Sequence, residues 1–269
     1  MAVFSDEKIE FFNRTTRNSS FQMPQAHFHN KHELYFLEKG KAKYFIESEI
    51  YLLNPGDMIF VPKGTFHKTD RYEGDSSERL LFVFDDDFVG IEYKRHINEL
   101  KKQKLIRIPP NKLYKFKEIF AKIEHESSRK PKEYLEMERL YLRQILILIM
   151  RYRSEENGSE LSGFYRLIQD SAIYICEHYS DDLSLDFLSR KYALSRSRFS
   201  KLFKEVTGIG LNEYINITRI TAAEKLLLSK KLSITEVACA CGFNDSNYFA
   251  AVFKKLKGVT PKKYSLMNK

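Results

Sequence analysis

Four potential metal ligands lie in the N-terminal third of the sequence. His27 and His29 are two positions apart, Glu33 follows, and His67 lies further along the chain. Side chains two residues apart on a β-strand share a face, so these four groups could converge. Three imidazoles and one carboxylate suit iron, manganese, nickel or zinc. The same groups could also bind an organic ligand without a metal, or pack as satisfied side chains.

A second set of polar side chains, in the C-terminal third, has donors suited to nucleic acid. The segment Phe199–Gly208 recurs fifty residues later as Phe249–Gly258, with Phe, Phe, Lys and Gly at matching positions. In each copy the apolar residues fall at i, i+3, i+4 and i+7, which predicts a helix with one buried stripe. The opposite face carries Ser, Asn, Lys or Arg side chains, which can donate hydrogen bonds to base edges and phosphates.

Each repeated helix follows a shorter predicted helix and a tight turn. Ser195 suits the N-cap of the first repeated helix, and Asn244 or Asp245 that of the second, while Gly208 and Gly258 suit their C-terminal ends. A DNA major groove admits one helix that is anchored by its other face, so the pattern predicts two helix-turn-helix units. The alternative is two helical hairpins with solvated outer faces, which the duplication disfavours.

The residues from Arg219 onwards resemble the signature of the AraC/XylS family of transcription regulators. The matching positions are Arg219, Ala223, Leu226, Leu227, Ser233, Ile234, Glu236, Val237, Ala238, Gly242, Phe243, Asp245, Tyr248, Phe249, Phe253, Lys254, Gly258, Thr260, Pro261 and Tyr264. The resemblance covers about a hundred residues. It implies a seven-helix domain whose two recognition helices are joined by a long helix near Leu211–Ser229 and enter major-groove segments about 34 Å apart.

The resemblance and the polar faces together indicate the residues that would contact DNA. They are Arg196, Ser197, Arg198, Ser200, Lys201 and Lys204 in the first unit, and Ser246, Asn247, Ala251 and Lys254 in the second. This chain has Ala250 and Ala251 where many relatives place Ser or Thr followed by Arg. Alanine can touch a thymine methyl but donates no hydrogen bond, so the second unit is expected to position the protein more than to specify sequence.

Charge is concentrated in the same region. Residues 164–269 contain 17 Lys and Arg and 10 Asp and Glu, which gives +7 of the net charge of +9. A basic domain favours double-stranded DNA as a partner, although a solvated basic surface would give the same value. As a regulator, the protein would act as an activator or repressor, and RNA polymerase is a possible further partner.

From Phe21 to about Phe88 the sequence has the pattern of short strands separated by Gly and Pro turns, which predicts a sandwich or barrel. Within it, His27 to Gly40 and Gly56 to His67 resemble the two motifs of the cupin barrels. The chain departs from those motifs at Phe21, where Gly is usual, and at Arg71, where Asn is usual.

The resemblance leaves three interpretations of the barrel open: a metal-free effector pocket, which we favour, a bound divalent metal, and a packed barrel that only dimerises. The predicted effector-binding residues are His27, His29, Glu33, Tyr35, Tyr44, His67 and Arg71. Aromatic, carboxylate and guanidinium groups suit a carbohydrate effector. We expect no cofactor and no enzyme activity. The alternative is a metal-dependent cupin enzyme or metal sensor that uses His27, His29, Glu33 and His67.

Two helices, near Asn111–Ser128 and Pro131–Tyr152, are predicted between the barrel and the basic region. The second is apolar almost all round near Ile145–Met150, which indicates burial on several sides. By resemblance to the family we expect a homodimer, with a seam at Leu135, Leu142, Ile145, Leu146 and Ile149. Packing within one chain is the close alternative.

The sequence thus predicts an α+β protein in four parts. They are a cupin-like sensor barrel at 1–105, a helical connector and dimerisation segment at 106–153, a linker at 154–163 and an all-α DNA-binding domain with two helix-turn-helix units at 164–269. No N-terminal secretion signal is recognisable, and the longest strongly apolar segment, Gln144–Met150, is too short to span a membrane. We therefore expect a cytoplasmic protein with no membrane partner.

Overall fold

The computed structural model describes residues 3–4, 11–17, 27–71, 76–154 and 163–267. Within these ranges the strands lie before residue 107 and the C-terminal region is helical, which confirms the predicted α+β class. Of the predicted linker at 154–163, the structure describes Ser154 and Gly163; the remainder lies outside the described residues.

The N-terminal region has two five-stranded sheets. Its described strands are β1 (Val3–Phe4), β2 (Phe12–Arg17), β3 (His27–Phe28), β4 (His32–Lys39), β5 (Ala42–Ile46), β6 (Glu49–Leu53), β7 (Met58–Val61), β8 (His67–Arg71), β9 (Ser77–Phe84) and β10 (Leu105–Ile106). The strand orders are β1-β3-β8-β5-β6 and β10-β7-β4-β9-β2. The expected start of the strand region at Phe21 is wrong, because β2 precedes it and pairs along its whole length with β9.

The two sheets enclose a shared apolar cluster and so form the walls of the barrel. Tyr35 and Leu37 on β4 and Tyr44 on β5 belong to this enclosed cluster. Because side chains alternate along a strand, Lys43 and Phe45 point outward from β5. Successive residues of β5 therefore alternate between the barrel interior and the outer surface of the barrel.

Four helices cover the outer face of the sheet that contains β4. They are α1 (Asp86–Val89), α2 (Lys94–Lys102), α3 (Leu113–Arg129) and α4 (Tyr134–Tyr152). Phe36, Phe60 and Phe82 from the sheet share one buried cluster with Phe120 on α3 and Ile145 on α4. The segment predicted as a connector therefore packs as part of the sensor.

This packing corrects the predicted dimer seam. Leu142, Ile145, Leu146 and Ile149 are each 0% exposed within a single chain, whereas Leu135 is 52% exposed. The first four residues cannot face a partner without unpacking the sensor core. Packing within one chain, the alternative interpretation, is what the structure shows for them.

The C-terminal region contains seven helices among its described residues. They are α5 (Gly163–Glu177), α6 (Leu185–Lys191), α7 (Arg196–Thr207), α8 (Leu211–Ser229), α9 (Ile234–Ala240), α10 (Ser246–Lys257) and α11 (Pro261–Met267). Phe199, Phe203, Phe249 and Phe253 are each 0% exposed, so the repeated stripes on α7 and α10 are buried as predicted. The polar faces of both helices are thereby turned outward.

Candidate DNA-binding and effector-binding sites

Helix α7 begins at a side-chain cap and presents a basic face. The hydroxyl of Ser195 accepts a hydrogen bond from the backbone N–H of Arg198, and Gly208 ends the helix with φ +86°. The predicted contact residues are exposed, except Ser200, which is half-buried: Arg196, Ser197, Arg198, Lys201 and Lys204. Arg196 also pairs with Asp186 at 3.2 Å. The Arg198 guanidinium lies 4.9 Å from the ring centroid of Phe164, so it also contacts α5.

Helix α10 repeats this arrangement with a carboxylate cap. Asp245, one of the two predicted caps, accepts hydrogen bonds from the backbone N–H groups of Asn247 and Tyr248 at 2.7 and 2.8 Å. Asn247, Ala251 and Lys254 are exposed and Ser246 is half-buried. Tyr248 was not predicted from the sequence to contact DNA; it is 54% exposed beside Asn247 and is a further candidate.

A set of contacts joins the two helix-turn-helix units into one block. Arg219 on α8 donates to the backbone carbonyls of Tyr179 and Asp181 at 2.8 and 2.9 Å. Its guanidinium lies 5.6 Å from the ring centroid of Phe243, in the turn before α10. This one side chain therefore connects the loop before α6, the long helix and the second unit.

The turn of the second unit also packs closely against that loop. Gly242 has φ +79°, and a Cβ added there would lie 2.7 Å from the carbonyl oxygen of Ser180. Both the left-handed backbone and the close approach require glycine. The spacing between the two recognition helices is therefore fixed by backbone contacts as well as by side chains.

In the barrel, the four predicted metal-ligating side chains do converge. Ligand atoms of His27, His29, Glu33 and His67 all lie within 4.8 Å of one another. Glu33 is contacted by His29 at 2.6 Å and by His67 at 3.6 Å. His27 is half-buried and the other three are buried, so the cluster opens to solvent on the His27 side.

The imidazole orientations fit a divalent metal. The Nδ1 atoms of His29 and His67 lie 3.0 and 2.8 Å from the backbone carbonyls of Lys31 and Thr65, while their Nε2 atoms face Glu33. Donation of the second ring N–H to a carbonyl is the usual arrangement around metal-bound histidine. The donor set therefore suits a metal as well as an ion pair.

Without a metal, Glu33 and His67 stabilise each other's charged forms. Burial opposes ionisation of Glu33, but the nearby His67 and the hydrogen bond from His29 outweigh it and hold the pKa of Glu33 well below its usual value. Burial also opposes protonation of His67, but Glu33 outweighs it and raises the pKa of His67. In the metal-free protein each of these two charges therefore favours the other.

Two other predicted effector residues, Tyr35 and Tyr44, lie deeper in the barrel. Both are 0% exposed and their ring centroids are 5.0 Å apart. The backbone of Arg71 belongs to β8, but its side chain lies outside the described part of the chain, as does Phe21. Arg17 and Arg79, which approach these tyrosines from β2 and β9, were not predicted from the sequence.

Comparison with known proteins links both regions to one family. The helix-turn-helix domain family HTH_18 matches residues 188–266, and the cupin domain family Cupin_2 matches residues 20–84. The chain is 25% identical over 256 residues to the HTH-type transcriptional activator RhaR of Mannheimia succiniciproducens, covering 93% of this chain and 90% of that protein. The chain belongs to the AraC/XylS family of transcription regulators. It is accordingly a sequence-specific DNA-binding regulator with a cupin-type sensor domain.

Other known proteins are also similar to this AraC/XylS regulator. The HTH-type transcriptional activator RhaS of Escherichia coli is 23% identical over 245 residues, covering 87% of this chain and 86% of that protein. The solved C-terminal domain of the two-component response regulator yesN from Fusobacterium nucleatum is 39% identical, covers 39% of this chain and 99% of that chain, and has a TM-score of 0.35. No described helix of the regulator is long and apolar enough to cross a membrane.

In this regulator the sensor packs directly on the DNA-binding region. The ring centroids of Phe45 on β5 and Tyr214 on α8 are 6.0 Å apart, and the Tyr214 hydroxyl donates to the backbone carbonyl of Glu47 at 2.8 Å. The backbone N–H of Ile50 on β6 donates to the side-chain oxygen of Gln169 on α5 at 2.7 Å. The contact thus combines an apolar centre with directional hydrogen bonds.

A cavity of about 320 Å³ lies beside this interface, between the β5–β6 turn and α8. Phe66 of the barrel and Tyr179 of the DNA-binding region both line it, together with Cys176 and Thr218. The interface is therefore incompletely packed on one side.

Proposed function

We propose that an effector bound in the barrel controls how the DNA-binding domain is held, and thereby whether α7 and α10 can contact adjacent major-groove segments. The observation that carries this proposal is the alternation on β5. Tyr44 points into the barrel interior, and the next residue, Phe45, contacts Tyr214 of α8. A ligand that displaces the backbone of β5 at Tyr44 also displaces Phe45 and the interface that Phe45 supports.

Coupling of this kind is a shift between two populations. A ligand changes the balance only by the difference between its affinities for the docked and released arrangements. The Tyr214–Glu47 hydrogen bond and the Phe45 contact belong to the docked arrangement. Their loss would release α8 and, through Arg219, the whole two-unit block.

On DNA, we propose that the first unit supplies most of the sequence specificity. Ser197 and Lys201 are exposed on α7 and can donate to base edges, whereas Ala251 on α10 offers only a methyl contact. Arg196 contacts Asp186 and Arg198 contacts Phe164. We therefore propose that these two arginines, near the start of α7, contact phosphates and not base edges. Lys204 and Lys254 supply further phosphate contacts, which make affinity depend steeply on salt.

Selection of bound sequences from a random duplex pool tests the DNA-binding part of the proposal. We expect wild type to select one motif with two half-sites. Lys201→Ala should relax one half-site and Asn247→Ala the other, each with a loss of about 1–3 kcal/mol at the affected positions. The matched control is Lys122→Ala, an exposed lysine on α3 of the sensor. Sequence-independent binding by well-folded protein would contradict the proposal.

We also propose that the regulator is cytoplasmic, because it must reach DNA, and that it is a homodimer, as the resemblance to its family implies. Leu135 and Leu140 on α4 are 52% and 48% exposed, and we propose the surface around Leu140 as the contact with a second copy. Sedimentation equilibrium of Leu140→Glu should show monomers; an unchanged dimer would exclude this surface. Since the curated relatives are activators, RNA polymerase is the proposed partner after DNA binding.

A metal-responsive sensor is the second candidate, favoured by the geometry of the histidine cluster. His27, His29, Glu33 and His67 would hold a divalent ion, which would supply Lewis acidity in an enzyme or a signal in a sensor. Metal analysis of protein purified without chelators tests this candidate. Metal bound in wild type and lost in His67→Gln would support it, and its absence from wild type would remove it.

A further inference from the structure

We infer that the effector is a small anion, a carboxylate or phosphate compound, whose charged group binds Arg17 and Arg79 together with the hydroxyls of Tyr35 and Tyr44. This inference rests on the proposed function, in which the barrel holds the effector. It narrows the carbohydrate effector expected from the sequence to a ligand that carries at least one negative charge.

Strand register brings the two arginines to the same face. Arg79 on β9 pairs with Thr15 on β2, and Arg17 is two residues beyond Thr15 on that strand. Across β9, Arg79 pairs with Leu37, whose side chain belongs to the enclosed cluster. Because the side-chain period of a strand is two, Arg17 and Arg79 both face the barrel interior.

The arginines lie among hydroxyl groups. The Arg79 guanidinium is 5.7 Å from the ring centroid of Tyr35, and a guanidinium nitrogen of Arg17 donates to the hydroxyl of Thr69 at 3.3 Å. Within the described ranges, no group hydrogen-bonds to the buried Nε of Arg79 or to the buried hydroxyls of Tyr35 and Tyr44. Buried polar groups are normally satisfied, so these three donors point to a binding partner with acceptor atoms.

The charges in the interior favour an anion as that partner. Burial, together with repulsion from the neighbouring guanidinium of Arg79, lowers the pKa of Arg17. Glu33 also acts on Arg17, and its own oxygens are contacted by His29 and His67. An oxyanion would reduce the repulsion between the two guanidinium groups, whereas a neutral ligand would not.

The donor geometry also suits an oxyanion. Guanidinium groups bind carboxylates and phosphates through paired N–H donors, and a phenol O–H donates a short hydrogen bond to a charged oxygen. Tyr44 would be one of these donors, and its neighbour Phe45 contacts α8. The anion would therefore bind beside the residue through which the proposed function transmits its signal.

Thermal unfolding of the full-length protein, followed by tyrosine fluorescence, tests the inference with two probes. Inorganic phosphate and malonate are compared with sodium chloride at equal ionic strength. At about ten times Kd, we expect either probe to raise Tm of wild type by roughly 3–6 °C. A response to phosphate alone indicates a phosphorylated effector, and a response to malonate alone indicates a carboxylate effector.

Four variants locate the binding. Arg79→Gln should lose the anion-dependent rise in Tm. Tyr35→Phe should reduce the rise while leaving Tm without anion unchanged or higher, because it removes a hydroxyl that no described group meets. Arg14→Gln changes an exposed arginine of β2 that pairs with Glu38 and Glu124, and should keep the full rise. Lys201→Gln should also keep it, which excludes binding at the DNA-binding face.

Two results would overturn the inference. One is that the anions raise Tm of wild type no more than sodium chloride does, and the other is that Tm of Tyr35→Phe and of Arg79→Gln rises as much as Tm of wild type. The first result is measured on wild type alone, so the inference can be tested even if a variant folds poorly. If a neutral sugar stabilises the protein and anions do not, the anionic class is wrong and the proposed sensor stands. If anions stabilise it but no DNA motif is selected, the proposed regulation fails and the anion site stands.

Discussion

Glu33 and His67 illustrate at the scale of single residues how a buried charge pair links stability to pH. Neither charge would persist alone in the barrel, since burial disfavours both. Each raises the free energy of unfolding only while the other is charged. The same two side chains also belong to the candidate metal cluster, so metal-free protein is needed to isolate their effect.

We predict that the stability of chelator-treated protein has a maximum between the two titrations. The pKa of His67 is raised above 6.5, so its contribution is complete below about pH 6.5 and is lost as pH rises through the native pKa. The pKa of Glu33 is depressed, so its contribution is present above about pH 4.5 and is lost as pH falls through the native pKa. Both contributions are complete between about pH 4.5 and 6.5, which places the maximum in that range.

Urea unfolding from pH 5 to 9 measures this dependence. Wild type should lose more stability on the alkaline side than His67→Gln, with His125→Gln, an exposed histidine on α3, as the control. Equal alkaline slopes for wild type and His67→Gln would show that His67 does not carry the effect.

Single residues differ in how much of their role the sequence can predict. The sequence predicts burial of Phe199 and Phe249 because helical periodicity is a local pattern. It predicts the cluster of His27, His29, Glu33 and His67 because their spacing resembles a known motif. Arg17 and Arg79 gave no such signal. Their proximity depends on the pairing of β2 with β9, which are about sixty residues apart in the chain.

At the scale of elements, Gly242 fixes the turn between α9 and α10. We predict that Gly242→Ala lowers the free energy of unfolding by at least about 1–3 kcal/mol, because alanine resists positive φ and its Cβ would meet Ser180. Gly210→Ala is the matched control. Gly210 has φ −69°, and no described atom would lie within 4 Å of an added Cβ.

Thermal unfolding and operator binding should both distinguish these two glycine variants. Gly242→Ala should also weaken DNA binding, since the second unit would be displaced from its place beside α6. Identical stability of the two variants would mean that the contact with Ser180 is not a constraint.

The helices also show where sequence periodicity stops being informative. The ends of α7 and α10 follow from their caps, and the structure places them within a residue or so of the predicted ends. The sequence predicts that the apolar surface of α4 packs against a second protomer, whereas in the structure it packs within one chain. Periodicity indicates that such a surface is buried. It does not distinguish burial against the outer face of a sheet from burial against a helix of a second protomer, because both are apolar.

At the scale of the whole molecule, the sensor and the DNA-binding region should unfold together while Phe45 connects them. Phe45 is 1% exposed and belongs to the same cluster as Tyr214 and Phe203. We predict that Phe45→Ala, with a loss of about 3–5 kcal/mol, separates one thermal transition into two and makes DNA affinity independent of effector.

Calorimetry measures these transitions, and Phe187→Ala serves as the control because that ring is 43% exposed on α6. A single transition with unchanged Tm in Phe45→Ala would show that the interface does not couple the regions. The sequence did not predict this interface, because its residues look like ordinary strand and helix positions until the two regions are docked.

The close contact of Gly242 with Ser180 has a consequence for the operator. Because that contact and Arg219 hold both recognition helices in one block, the protein has little freedom to follow a change in their targets. Inserting one base pair between the half-sites would rotate one of them by about 34° and move it about 3.4 Å along the duplex. The DNA would have to untwist or bend to restore both contacts, so functional operators should share one helical phase.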